Sequence, residues 1–166
     1  VHRLDRNVSG IVLFARTSKA ASRLSKQFRN GTTKKYYRAI ILGKLEKTSA
    51  ILVHYLRKEK SLKTTVFPRE TPAAKRSELS YKVIDLFKKN SLIEITLCTG
   101  RFHQIRAQMA FVGHPIMGDI KYGARTPLAE QEIALHAYKL VFNHPISNEE
   151  ITLNVPEPKT WEQFKA

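Results

Sequence analysis

Residues 91–113, SLIEITLCTGRFHQIRAQMAFVG, change their hydrophobic period part-way along. Ile93, Ile95 and Leu97 alternate with Glu94 and Thr96, which is the two-residue period of a strand over 92–98. After Gly100 the apolar positions become Ile105, Met109 and Val112. That spacing predicts a helix over 103–112, with Gly113 as its stop. The polar run between them, TGRFHQIR at 99–106, therefore falls at a helix start. Free backbone N–H groups gather there, and Arg101 can grip a carboxylate or a phosphate with a two-pronged hydrogen bond.

Periodicity outward from this junction supplies the other elements. The turn KKNS at 88–91 joins 92–98 to a strand over 79–87 as an antiparallel hairpin. In 35–43, KYYRAIILG, residues Tyr37, Ala39 and Ile41 share one face while Tyr36, Arg38, Ile40 and Leu42 share the other. Strands are also expected at 50–56, 134–142 and 150–154, followed by a short terminal turn, TWEQF. Continuous apolarity in GIVLFA, 10–15, predicts a strand buried on both faces. Ser18 is the expected cap of a helix over 19–30, where Ala20, Ala21, Leu24 and Phe28 form the apolar stripe. Lys19, Arg23, Lys26 and Arg29 form its solvated basic flank. The segment 58–76 holds Pro68 and Pro72, shows little periodicity and reads as a mobile surface loop. Strands outnumber helices and short turns join them. The fold class is α+β, a mainly antiparallel mixed sheet flanked by a few helices in one domain over 1–166.

Charge narrows the function. Lys and Arg total 29 against 14 acidic residues, a formal net charge of +15 and a pI near 10.1, with 42% of residues hydrophobic. A globular chain with that surplus is suited to a polyanion, because each phosphate contact releases counterions. No apolar run approaches a membrane helix and no strongly apolar helical face is present, so a membrane partner is not expected. Cys98 is the sole cysteine, which excludes an intrachain disulfide and fits a reducing, cytoplasmic compartment. His2, His103, His114, His136 and His144 do not fall at metal-ligand spacings, and no metal is expected. Asp5 lies among His2, Arg3 and Arg6; neighbouring guanidiniums hold such a carboxylate ionised, for an ordinary ion pair or for chemistry. Tyr37 reads either as core or as a platform for a nucleobase.

HRLDRNVSG (2–10), KYYRA (35–39), TGRFHQIRAQMAFVGHPIMGD (99–119) and LHAYKLVFNHP (135–145) resemble, in order, the signature segments of the RluA-type pseudouridine synthases. The resemblance runs from Val1 to about Pro156. It implies an enzyme that flips a uridine out of ribosomal or transfer RNA and isomerises it to pseudouridine with no cofactor; a monomer is expected. By resemblance Asp5 is the catalytic aspartate, attacking or deprotonating near the ribose C1′. Tyr37 stacks on the uracil and serves as a base, and Arg101 pairs with the catalytic carboxylate. Arg3 helps displace the flipped nucleotide, with Lys35, His103 and Gln104 in supporting RNA contacts.

The segments also depart from the family pattern. Asn7 and Val8 stand where Asp and Thr are usual, and Gln108 stands where histidine is common; altered packing around an intact site is the expected result. The family's strands before HRLD are missing from these residues, so an exposed sheet edge or apolar patch is expected where they would pack. The rival reading is a non-catalytic RNA-binding module of the same fold, which has no need of Asp5, Tyr37 and Arg101 together. A hydrolase is disfavoured because no nucleophile–His–acid arrangement is evident.

Overall fold

The computed structural model describes residues 1–164. Its centre is a single sheet in which β1 (Ser9–Gly10), β7 (Leu135–Asn143), β2 (Lys34–Leu42), β6 (Asn90–Leu97), β5 (Lys75–Leu86), β3 (Ser49–Lys58) and β4 (Thr64–Phe67) follow one another, with β8 (Glu150–Asn154) also paired to β7. The β1–β7 pairing is parallel and the others are antiparallel. This is the α+β architecture that alternation predicts.

Register explains where the core lies. Tyr37 pairs with Ile95 and Ile95 with Tyr81; Ala39 pairs with Ile93 and Ile93 with Val83. These residues share one sheet face because directly paired residues point the same way. The face is covered by α2 (Gln104–Phe111), whose Ile105 and Met109 join Ala39, Ile93 and Ile95 in the main core. Six of its eight residues are buried, and three of those six are polar: Gln104, Arg106 and Gln108. A polar helix driven under a sheet must find partners for those groups, and that need builds the site described below.

α1 (Ser18–Asn30) packs differently. Leu24 is buried against Leu140 and Phe142, while Lys19, Arg23, Lys26 and Arg29 are exposed. The cap is Thr17 rather than Ser18, its hydroxyl accepting from the Ala20 N–H at 3.2 Å. Among the described residues no helix is long and apolar enough to cross a membrane.

Two expectations are corrected. The strand over 10–15 reduces to β1, after which Ile11, Leu13 and Ala15 turn inward onto the α1 cluster while Val12 and Phe14 face out. Phe14 is 80% exposed, so the segment has one covered face, not two. Gly10 is required here: a Cβ would lie 2.4 Å from the Ala137 carbonyl oxygen where β1 presses on β7.

The second correction is at 58–76, where β4 pairs with an extended β3 through Tyr55↔Phe67 and Leu56↔Val66. Glu59 N–H to Lys63 O at 2.8 Å closes the hairpin. β4 is only four residues long, too short for alternation to show, and the prolines lie beyond it, where no ladder donor is needed.

Candidate active site

The segment before β1 is held at several points. His2 stacks on Phe28 with ring centroids 4.5 Å apart, and its Nε2 accepts from the Leu13 N–H at 3.0 Å. The Val8 N–H donates to the Asp5 carbonyl at 3.0 Å, folding a tight turn. Asn7 ties that turn to the lead-in of β7. Its amide donates to the Gln131 carbonyl, and its own carbonyl accepts from the Ile133 N–H. The residues that depart from the family pattern thus do packing work, since Val8 also packs on the main core. Asp5 is presented at the wall of a cavity of about 680 Å³. Arg3, Lys35, Tyr37, Arg101, His103 and Gln104 line the same cavity.

The partner of Asp5 is Arg106 and not Arg101. Nη1 of Arg106 lies 3.4 Å from Oδ2 of Asp5. The same guanidinium forks onto Asp119, Nε to Oδ2 at 2.7 Å and Nη2 to Oδ1 at 2.8 Å. Arg106 and Asp119 are 5% and 1% exposed. Burial alone would lower the pKa of Arg106, but the hydrogen bonds and charge of Asp119, with Asp5 beyond, hold it above the ordinary value.

Arg101 sits one turn earlier, before α2 begins. Its N–H donates to Oε1 of Gln104 at 2.9 Å, and its exposed side chain reaches the Arg76 carbonyl at 3.3 Å. The two arginines look alike in TGRFHQIR, and only their positions on either side of the helix start separate them. Neither Arg106 nor Asp119 stood out from local sequence. The available signal was a charged residue beside Ile105 on the apolar stripe of a predicted buried helix.

His103 is the other neighbour of Asp5, with Nε2 3.7 Å from Oδ2. It adopts a left-handed conformation, φ 51°, at the start of α2. Burial lowers its pKa to about 4, with Arg106 and Lys121 acting in the same direction against Asp5 and Asp119. Its Nδ1 lies 2.9 Å from the hydroxyl of Tyr122. Burial raises the pKa of the Tyr37 phenol to about 12, and the charge of Asp5 adds to the rise. Burial also lowers the pKa of Lys35, against an opposing effect of Cys98.

Gln104 lines the cavity while its amide is engaged by the fold. Its Oε1 accepts from the Thr99 hydroxyl and the Arg101 N–H, and its Nε2 donates to the Glu78 carbonyl. Gln108 faces away from the cavity, donating to the Leu52 carbonyl at 3.3 Å and to Nδ1 of His54 at 3.0 Å.

A second groove, about 510 Å³, adjoins the cavity through Gly100 and Arg101. Arg57, Lys58, Lys75 and Phe102 line it, and among the described residues no acidic one does. Arg57 is paired with Glu59 at 2.9 Å, and Lys58 lies over the Phe102 ring with its Nζ 4.6 Å from the centroid.

The family model for RNA pseudouridylate synthases matches residues 1–111. The chain is 35% identical over 162 residues to the ribosomal large subunit pseudouridine synthase C of Vibrio parahaemolyticus, covering 94% of this chain and 50% of that protein. It is 32% identical over 171 residues to the ribosomal large subunit pseudouridine synthase D of Vibrio cholerae, covering 95% and 52%. It spans about half the length of these curated relatives. Among solved structures, human RNA pseudouridylate synthase domain containing 4 superposes with a TM-score of 0.81 at 22% identity, over 97% of this chain and 72% of that one. That likeness concerns the fold.

Proposed function

This chain belongs to the RNA pseudouridylate synthase family, and we propose that it isomerises uridine to pseudouridine in ribosomal or transfer RNA, with Asp5 as the reacting carboxylate. One observation carries the reading. A partly exposed carboxylate stands at a cavity wall, held there by a buried arginine that a second carboxylate locks from behind. An ordinary surface ion pair needs no such backing. A group that must meet a substrate as an anion gains from it, because a fixed positive neighbour favours ionisation and removes the search for geometry.

The other residues take roles that follow from their surroundings. A uridine must leave its stack to reach Asp5, which costs a few kcal/mol in the RNA. Tyr37, lining the cavity with a phenol that stays protonated to about pH 12, serves as the platform for the extruded base and not as a base in the free protein. Arg3 is exposed on the cavity lining, placed to fill the gap the nucleotide leaves. Arg101, reassigned from the carboxylate, points to the groove of Lys58 and Lys75, where the RNA backbone continues. The carboxylate either attacks C1′ or removes a ribose proton; both need the anion and both end with the base rejoined through C5. The reaction takes place in the cytoplasm.

Moving the glycosidic bond from N1 to C5 releases the C5 hydrogen to water. Purified protein should therefore release tritium from ribosomal or transfer RNA carrying [5-³H]uridine, and Asp5→Asn should release none while still binding that RNA. Tight binding by the native chain with no tritium release from any such RNA would replace this reading with the non-catalytic module.

A further inference from the structure

Tyr122 reaches both groups that contact Asp5, although its own side chain is 7% exposed and outside the cavity lining. Its hydroxyl meets Nδ1 of His103 at 2.9 Å. Its ring lies under Arg106, with the guanidinium carbon 5.1 Å from the centroid. The hydroxyl oxygen also accepts from the Thr64 N–H at 2.8 Å, which ties it to β4. We propose that Tyr122 is a positioning residue of the site: its O–H donates to Nδ1 of His103 and fixes the tautomer whose Nε2–H faces Asp5, while its ring supports Arg106.

Two constraints select the same tautomer. The Thr64 N–H occupies one acceptor direction of the Tyr122 oxygen, and the phenol proton is then best placed on Nδ1 of the imidazole. A neutral imidazole that accepts at Nδ1 carries its proton at Nε2, the atom 3.7 Å from Oδ2 of Asp5. The opposite tautomer would set a nitrogen lone pair against a carboxylate. The Nε2–Asp5 distance is long for a hydrogen bond, as catalytic contacts often are before substrate closes a site. The left-handed backbone of His103 is held from outside as well. The Thr64 hydroxyl donates to the Phe102 carbonyl at 2.8 Å, and the Phe102 ring stacks on His103 at 3.8 Å. Strain maintained by surrounding contacts is typical of residues whose aim matters.

The catalytic meaning of this arrangement rests on the proposed function, but its first test does not. The ¹⁵N shifts of His103 in the native protein should report the Nε2–H tautomer alone; a proton on Nδ1 overturns the proposal whether or not the chain isomerises uridine. Tyr122→Phe keeps the ring and removes only the O–H. It should yield a mixed tautomer and lower kcat by about tenfold or more, with KM for RNA within about twofold of native. An unchanged tautomer, or an unchanged kcat beside a changed tautomer, overturns it. His103→Gln presents a donor with no tautomer to fix, so adding Tyr122→Phe there should cost less than about twofold in kcat. Full additivity of the two substitutions would reduce Tyr122 to a structural residue.

Discussion

On the inner wall of the cavity Arg106 is buried between two carboxylates, and a tyrosine ring lies against its guanidinium. On the rim Arg101 is exposed, and its guanidinium reaches a backbone carbonyl. The difference is one of screening and freedom. A buried, forked arginine has one geometry and acts at one atom, whereas exposed cations act together, over distance and under the control of salt. Wall substitutions should therefore change turnover or folding with little salt dependence. Rim substitutions should change affinity and its salt slope.

The largest effect expected is on the wall. Asp5→Asn should lower kcat by on the order of 10⁴ or more while RNA affinity stays within about twofold. Tritium release and filter binding measure the two, and retained turnover would remove Asp5 from the mechanism. Next, Asp119→Ala leaves Arg106 buried without its forked partner and should cost about 3–5 kcal/mol of stability. Urea unfolding measures it, and a loss below about 1 kcal/mol would mean that the wall is no more rigid than a surface pair.

Rim effects come third. Arg101→Ala and Lys75→Ala should each weaken RNA binding in low salt and reduce the slope of log affinity against log salt by about one. A collapse of kcat in Arg101→Ala, at unchanged affinity, would return Arg101 to the carboxylate and break the contrast between wall and rim.

The smallest effect concerns pH. His103 has a folded pKa of about 4, below the ordinary histidine value, so folding favours its neutral form. Its contribution to stability is complete above about pH 6.5 and is lost as pH falls toward about 4, where unfolded chains bind the proton and folded ones do not. Burial is the main cause, Arg106 and Lys121 assist, and Asp5 and Asp119 oppose. The urea midpoint of the native protein should therefore drop further than that of His103→Gln between about pH 7 and pH 5. Parallel curves would show a solvated imidazole.

Much of this is legible in the sequence. The switch of period at Gly100 located the strand-to-helix junction, and seven expected site residues all line one cavity. Less legible were segments whose surroundings differ from what their own composition implies. GIVLFA is apolar throughout, yet neighbours cover only the side of Ile11, Leu13 and Ala15. The 58–76 segment looked structureless because β4, Thr64–Phe67, is only four residues long and follows a lysine-containing turn, while the ladder to β3 comes from backbone groups that composition does not report.

Local pattern, by itself, determined the strands of 35–43 and 92–98 and the helices over 19–30 and 103–112. These depend on neighbours a few residues apart, where backbone geometry and side-chain period are set. Tertiary structure alone decided that Arg106 holds Asp5, that Asp119 backs Arg106, and that Tyr122 reaches both Arg106 and His103. Asp5 and Arg106 stand 101 positions apart in the chain. No periodicity spans that distance, and the choice between two arginines fell to which side of a helix start each side chain leaves.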